Sequence, residues 1–570
     1  MKKTKLSILV FFLFSCIVFI AFITRIYLVD RAPSGILIDE ASFGYNAYSI
    51  LKTGKDEHGV SFPMVFKAFG DQKLPAYAYA SVPFIKLLGL NNLAVRFPSV
   101  LAGTALAGIV FLLLIEIGFS IPISFIGGLV TATSPWSIII SRFGFESNFG
   151  LMFFMLGYFF IFKSYKKNSI VFAVLAGFCL GITLYSYVAF KLITPVILVG
   201  LLGIQYFTKS NKNKIWAIVF VTFLISIIPI LITVFSSQTT ARFTQIGLNY
   251  NTGLKMEIDE NRAFCGTKLP KLLCYASSNK PLFYLRTYLH RYITGLSPSY
   301  LFLDGDVEYK YLNVDHFGSF YVWLLPFYFF GFAYLWKKIK ARSLTLQEKL
   351  LILGLLISPL PTLLVSGPQK VRISALFPFI SLVIMYGITQ VEGMMKKSWH
   401  KYIFYTTLII VSLMSVGFFL IQFLTVQVNK YETAYGTYIP KLMRYLGQQD
   451  KNTQIYIRSI AEGIMYYAYF NAIDPIVYQQ KVIFKEPDII GFAHAKDLEN
   501  IHITEESALG VACRAKIRRE RALFVSNEND KNIPDSTKKI IYSENGVDTL
   551  AIIYDLSKMN DESLNCNLSK

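Results

Sequence analysis

Apolar runs long enough to cross about 30 Å of hydrocarbon recur along most of this chain, and any fold must give them an apolar surrounding. About eleven candidates lie near residues 7–27, 93–117, 121–140, 148–163, 168–185, 192–208, 214–236, 319–336, 349–366, 372–393 and 401–426. A soluble core cannot enclose so many. Only 16% of residues are charged, where soluble domains carry about a quarter. The expected fold class is therefore an α-helical polytopic membrane protein of about 11 transmembrane helices. The basic start "MKKTK" resembles a signal peptide, but the apolar stretch after it is too long and no A-x-A site follows, so an anchored helix is expected.

Charge placement supplies the orientation. With the N-terminus in the cytoplasm, the inside segments are 1–6, 118–120, 164–167, 209–214, 337–349 and 394–401, and all but the second are Lys-rich. Much of the +20 net charge then belongs to the cytoplasmic face, and no nucleic-acid partner is needed to explain it. Three larger segments fall outside: 28–92, 237–318 and 427–570. The tail holds strand-like runs such as "TQIYIRS", "RALFVS" and "TLAIIYDL". The expected domains are a transmembrane module, 1–426, and an extracytoplasmic α/β or mostly β domain, 427–570. Cys265 with Cys274, and Cys513 with Cys566, are candidate disulfides of an oxidising compartment. No spacing suits zinc, and "FLDGD" at 302–306 reads as a turn rather than a cation loop. No metal or other cofactor is predicted as required.

The segment "GILIDEASFGYNAY", residues 35–48, sets Asp39 beside Glu40. One reading is helix capping, with Asp39 as N-cap and Glu40 in the first turn. Other charges share that side of the membrane: Asp71 and Lys73 in "AFGDQKLPAYAY", Arg96 in "NNLAVRFPSVLAG", Arg142 and Glu146 in "SPWSIIISRFGFESNFG", and Lys370 and Arg372 in "SGPQKVRISALFP". Ionisable groups near membrane depth are costly and mark sites. Carboxylates beside fixed cations suit a sugar carried on a polyprenyl phosphate. The cations bind and stabilise the departing phosphate, and a carboxylate deprotonates the incoming hydroxyl. Asp39 has the chemistry of that base.

Structural alternatives stand beside these roles. Arg96 and Arg142 can anchor helix ends by snorkelling, and Glu146 can pair with Arg142 at i,i+4. Tyr45, Tyr185 and Tyr187 suit interfacial aromatics as well as sugar contacts. The stretch "NKPLFYLRTYLHRYITGLSP" looks like amphipathic helix on the membrane surface.

The order "DE" after the first span, then "GDQKLPAYAY", "LAVRFPS", "SPW…SR…E.N" and "GITLYSYVAFKLITP" resembles the phospholipid-carrier-dependent glycosyltransferases of the GT-C superfamily. These are relatives of the protein O-mannosyltransferases and the lipid A aminoarabinose transferases, and the resemblance covers about residues 1 to 400. It implies Asp39 as catalytic base with Glu40 beside it, and Lys73 near the lipid phosphate. Arg372 is retained from a late P-H-x-x-R pattern that reads here Pro368, Gln369, Arg372. The chain departs from the family at Leu74, which separates Lys73 from Pro75, at Gln369 in place of His, and at Ser42 where the aminoarabinose transferases have Arg.

The expected function is an integral membrane inverting glycosyltransferase that takes a sugar from a polyprenyl-phosphate donor to a glycan, lipid or protein acceptor on the extracytoplasmic face of the cell membrane. Lys73, Arg372, Arg142 and Arg96 are the expected phosphate contacts, with Asp71, Tyr45 and Glu146 as candidate substrate contacts. A secondary transporter is the rival reading, but transporters gather their charges at the midplane of broken or repeated helices. A non-catalytic scaffold leaves the acid and base pattern unexplained.

Overall fold

A computed structural model describes residues 2–69, 71–208, 213–235, 252–364, 367–458, 460–487, 493–531, 533–543, 546 and 548–559. The chain opens with α1 (Lys2–Ile26), α2 (Ile38–Thr53), the hairpin β1 (Phe66–Ala68) and β2 (Asp71–Lys73), and α3 (Pro75–Leu88). There follow α4 (Asn92–Ile117), α5 (Ile121–Thr133), α6 (Pro135–Arg142), α7 (Glu146–Lys167), α8 (Ile170–Ser186), α9 (Phe190–Thr208) and α10 (Asn213–Phe235). Three loop helices come next, α11 (Thr252–Gly266), α12 (Lys271–Ser277) and α13 (Lys280–Thr294). The apolar series then resumes with α14 (Leu325–Lys340), α15 (Leu346–Ile357), α16 (Leu376–Gly393) and α17 (Ser398–Ile421).

Each of the eleven apolar runs overlaps a described helix, and the chain is a multi-pass membrane protein. Among the described residues seven helical segments are long and apolar enough to span, and the pair α5–α6, bent by 47°, makes an eighth. The other three fall short for physical reasons. Helix α8 is apolar but only 17 residues long, and the apolar stretch of α9, Phe190–Tyr206, is equally short. Helix α14 has 16 residues and ends in Lys337, Lys338 and Lys340.

The bend between α5 and α6 follows from Pro135, which drives Ser134 into an extended conformation, φ −66° and ψ 144°. A break of this kind frees carbonyls that hydrocarbon cannot satisfy, at several kcal/mol each. Buried donors meet them here. Arg25 Nη2 donates to Thr131 O at 3.2 Å, Arg25 Nη1 to Ala132 O at 2.8 Å, and Tyr321 Oη to Thr133 O at 2.7 Å.

Residues 1–27 and 99–420 form one compact unit, and residues 28–98 with 421–570 form another. The first loop, assigned from sequence to the transmembrane module, therefore shares a unit with the C-terminal residues. Ala41, Tyr45 and Val95 lie in one apolar core with Ile455, Ile457, Tyr469 and Tyr478. Gly44 permits the approach, since a Cβ there would meet the Val95 side chain at 2.6 Å and the Tyr469 ring at 2.7 Å.

The C-terminal sheet has seven strands: β3 (Gln454–Ile457), β4 (Val482–Phe484), β5 (Ala495–Leu498), β6 (Ile501–Ile503), β7 (Ala522–Ser526), β8 (Lys538–Tyr542) and β9 (Thr549–Asp555). Their order is β4-β5-β6-β3-β7-β9-β8. Strand β3 runs parallel to β6 and β7, and the flanking pairs are antiparallel. Every residue of β7 is buried, as an inner strand with parallel pairing requires. The expected α/β character of the tail follows from this sheet and from helices such as Ala508–Arg518. Cys265 and Cys274 are joined in a disulfide. Cys513 is also disulfide-bonded, while Cys566 lies outside the described residues.

Candidate functional site

The N-cap of α2 is Leu37, so Asp39 and Glu40 both sit in the first turn. This separates their roles. Glu40 reaches back to accept the Leu37 N–H at 2.9 Å, and its side chain is buried. It also forms a two-pronged ion pair with Arg96: Nε to Oε1 at 2.9 Å and Nη2 to Oε2 at 3.1 Å. Arg96 in turn donates through Nη1 to Val29 O and Pro33 O at 2.7 and 2.8 Å, and through Nη2 to Gly35 O at 2.6 Å. All five N–H groups of Arg96 are thereby engaged. Arg96 clamps the entry to α2 with every donor engaged, and Glu40 is buried against it.

Asp39 points the other way and keeps 58% of its side chain exposed. Its Oδ1 lies 2.7 Å from Lys73 Nζ, whose side chain is 6% exposed. The ammonium also lies 4.9 Å from the ring centres of both Phe43 and Phe69. The short hairpin delivers Lys73 to this point by pairing it with Phe66, and Pro75 then starts α3 at the favoured first position. Leu74 is the N-cap of α3, so the extra residue between Lys and Pro is absorbed where strand turns into helix. Asp71 opens β2, and its side chain lies outside what is described.

Beside the pair is a small open cavity of about 20 Å³ lined by Glu57, His58, Phe69, Glu462, Met465 and Tyr478 among others. Phe69 thus borders both the cavity and the Lys73 ammonium. Glu57, which follows "GKD" in the sequence with no motif around it, is buried here. Its carboxylate accepts from Asn46 Nδ2 at 2.9 Å and Tyr478 Oη at 3.4 Å. Burial pushes its pKa up, against the opposing pull of His58 and Asn46. Tyr45, an expected substrate contact, instead packs on Tyr48 and Tyr478 in the core and donates to Ile473 O at 3.0 Å.

The remaining candidates belong to the other unit. Arg142 is buried, and its Nη1 donates to Tyr27 O at 2.8 Å and Arg25 O at 3.2 Å, closing the C-terminal end of α1. These bonds give Arg142 a structural task beside the expected phosphate contact. Arg142 ends α6 while Glu146 begins α7. The two are not neighbours on one helix face, and Glu146 suits the positive end of α7. Tyr185 is tied within the helices, donating to Ser226 O at 2.7 Å.

Lys370 and Arg372 stand on the turn before α16. Asp306 of the "FLDGD" turn accepts the Lys370 backbone N–H at 3.2 Å and the Tyr309 N–H at 3.2 Å. Lys370 Nζ is buried on Leu312 O, at 3.1 Å, and Asn313 Oδ1. Trp136 Nε1 donates to Lys370 O at 3.1 Å. Arg372, held by this frame, lies 5.8 Å from the Tyr309 ring centre. Its Nη1 is buried with no hydrogen-bond partner among the described residues, a property expected of an anion-binding guanidinium.

Burial pushes the Lys370 pKa down to about 8, with Asp306 pulling the other way. Its folded value lies below the unfolded value of about 10.4, so the unfolded chain binds more protons between those limits. Stability from this group therefore rises as pH climbs from about 8 to about 10.4. Lys370→Met should remove that component from the melting temperature of detergent-solubilised protein. Identical pH profiles for wild type and variant would refute it.

Residues 15–245 match the family model described as dolichyl-phosphate-mannose-protein mannosyltransferase. The match bears out the resemblance to GT-C enzymes and the reading of the chain as a glycosyltransferase. No curated protein matches the chain. Among solved structures it is similar to ArnT from Cupriavidus metallidurans bound to undecaprenyl phosphate, with TM-score 0.49 and 11% identity over 96% of this chain and 98% of that one. It is also similar to the Archaeoglobus fulgidus oligosaccharyltransferase in complex with Zn and sulfate. That likeness has TM-score 0.47 and 15% identity over 80% of this chain and 61% of the other.

Proposed function

We propose that this membrane glycosyltransferase moves a sugar from a polyprenyl phosphate to an acceptor hydroxyl on the extracytoplasmic face of the cell membrane, with inversion at the anomeric carbon. The observation that carries the reading is the Asp39–Lys73 pair, an exposed carboxylate 2.7 Å from a nearly buried ammonium. The proposed base and the proposed phosphate contact thereby form one hydrogen-bonded ion pair. The acceptor oxygen bonds to the anomeric carbon as its proton passes to Asp39. The bond from that carbon to the phosphate oxygen breaks, and the electron pair leaves with the lipid phosphate. Lys73 stabilises the charge that develops there. In the other unit, the orphaned Nη1 of Arg372 supports an anion contact.

The family model supports a donor on a polyprenyl-type phosphate. The Cys265–Cys274 disulfide and the Lys-rich segments on the opposite side support an oxidising, extracytoplasmic location for the outside loops. The cavity beside Phe69, lined by Glu57, Glu462 and His58 as well as by Tyr478 and Phe484, supports an acceptor bearing hydroxyls. No metal enters this scheme.

The test is sugar release by wild-type membranes from a panel of radiolabelled polyprenyl-phosphate sugars, with the anomeric configuration of the product read by NMR. Release with inversion is expected, and a retained configuration or no consumption of any donor would refute it. Lys73→Met should raise KM for the lipid donor about 10- to 100-fold, the size of a lost charge-assisted hydrogen bond. An unchanged KM would remove Lys73 from the phosphate.

A further inference from the structure

Helix α13 presents its most apolar side outward. Its exposed side chains are Pro281, Leu282, Leu285, Arg286, Leu289, His290 and Ile293, together with the terminal Lys280, and from Leu282 they recur at the spacing of one helical face. Leu285 is 63% exposed, and Leu282, Leu289 and Ile293 are each 53% exposed. The opposite side is the half-covered one: Tyr284 stacks on Tyr288, and Tyr292 Oη donates to Leu356 O at 2.6 Å. A helix meeting only water would show the reverse arrangement.

The helix does not cross a bilayer either. Fifteen residues reach about 22 Å, and Arg286 and Arg291 interrupt the run. What remains is a helix lying along the interface, with its aliphatic stripe in the acyl boundary. Charge identifies which interface. From Asn261 to Leu303 the sequence holds six Lys and Arg residues and no Asp or Glu. Two of the polar side chains, Arg286 and His290, flank the aliphatic stripe on the same face. Helix α12 extends the apolar surface with Leu272, Leu273 and Tyr275, all exposed, and the Cys265–Cys274 disulfide holds it to α11.

We infer that α13 is an in-plane membrane helix that binds the headgroups of anionic phospholipids, with Arg286 and His290 at the headgroup level. Because a Cβ added at Gly295, which closes its C-terminal end, would lie 3.4 Å from the Ile373 side chain and 3.6 Å from that of Pro368, lipid seated on α13 also steadies the turn that carries Lys370 and Arg372.

The test uses full-length protein in nanodiscs of phosphatidylcholine with and without phosphatidylglycerol. Nitroxides are placed by Leu285→Cys and Leu289→Cys in a Cys16→Ser, Cys179→Ser background. Both labels should meet dissolved oxygen more readily than a water-soluble nickel complex. In parallel, the phosphatidylglycerol retained through purification is measured by mass spectrometry. It should fall about fivefold per cation removed in Arg286→Gln, by the usual contribution of a basic residue at an anionic surface. Nickel-accessible labels would overturn the inference, as would protection that grows with protein concentration, which marks a second copy on this face. Unchanged phosphatidylglycerol retention would overturn the headgroup assignment.

Discussion

Asp39→Asn should lower sugar transfer by about 10²- to 10⁴-fold, the usual contribution of a positioned general base, while leaving the protein folded. The expectation of intact folding rests on geometry. The capping work at the start of α2 belongs to Glu40 through the Leu37 N–H, and Asp39 is 58% exposed. Asn keeps the size of the side chain and remains a hydrogen-bond acceptor for Lys73, but it cannot take the acceptor's proton. The comparison is made on membranes carrying equal amounts of wild type and variant, with the donor that wild type consumes. KM for the donor should change less than kcat, since Lys73 stays in place. Full activity in the variant would remove Asp39 from catalysis and return the opening acids to a purely helical role.

The second large effect is on stability. Removing one member of a buried ion pair costs about 3–5 kcal/mol, a large share of the roughly 5–15 kcal/mol that holds a typical domain together. Arg96→Met leaves the Glu40 carboxylate buried without its partner and takes donors from Val29, Pro33 and Gly35 as well. The variant should be scarce in membranes and melt well below wild type. The double variant Glu40→Leu with Arg96→Met should recover part of that loss, because no uncompensated charge remains, while the three carbonyls still lack donors. An Arg96→Met protein that melts like wild type but binds donor weakly would reinstate Arg96 as a phosphate contact.

These two expectations separate residues that look alike in the sequence. Asp39 and Glu40 are adjacent acids, and Lys73 and Arg96 are cations of the same loop region. Their types and order suggested a site, because charges are rare enough near apolar runs to carry information. Nothing in the order says which acid turns inward. That depends on the helix starting after Leu37 rather than at Asp39, which rotates Glu40 towards Arg96 and Asp39 towards Lys73.

Hydrophobic length and charge sidedness made the helical membrane architecture readable from the sequence, since both act locally along the chain. The strand-like runs of the tail were readable for the same reason, and β3, β7 and β9 coincide with them. The family order from "DE" to "GITLYSYVAFKLITP" was legible because it is a matter of residue types in sequence. Tertiary structure alone decided the rest. It placed residues 28–98 in one core with 421–570, engaged every N–H of Arg96, and turned Arg142 from an apparent membrane anchor into a donor for helix-end carbonyls. It also buried Glu57 beside a cavity. Each of these depends on partners more than ten residues away in the chain, and a buried polar group takes its role from the partner that satisfies it. The sequence by itself determines where this chain meets lipid and which residue types its site contains; only packing decides which of those residues remain open to a substrate.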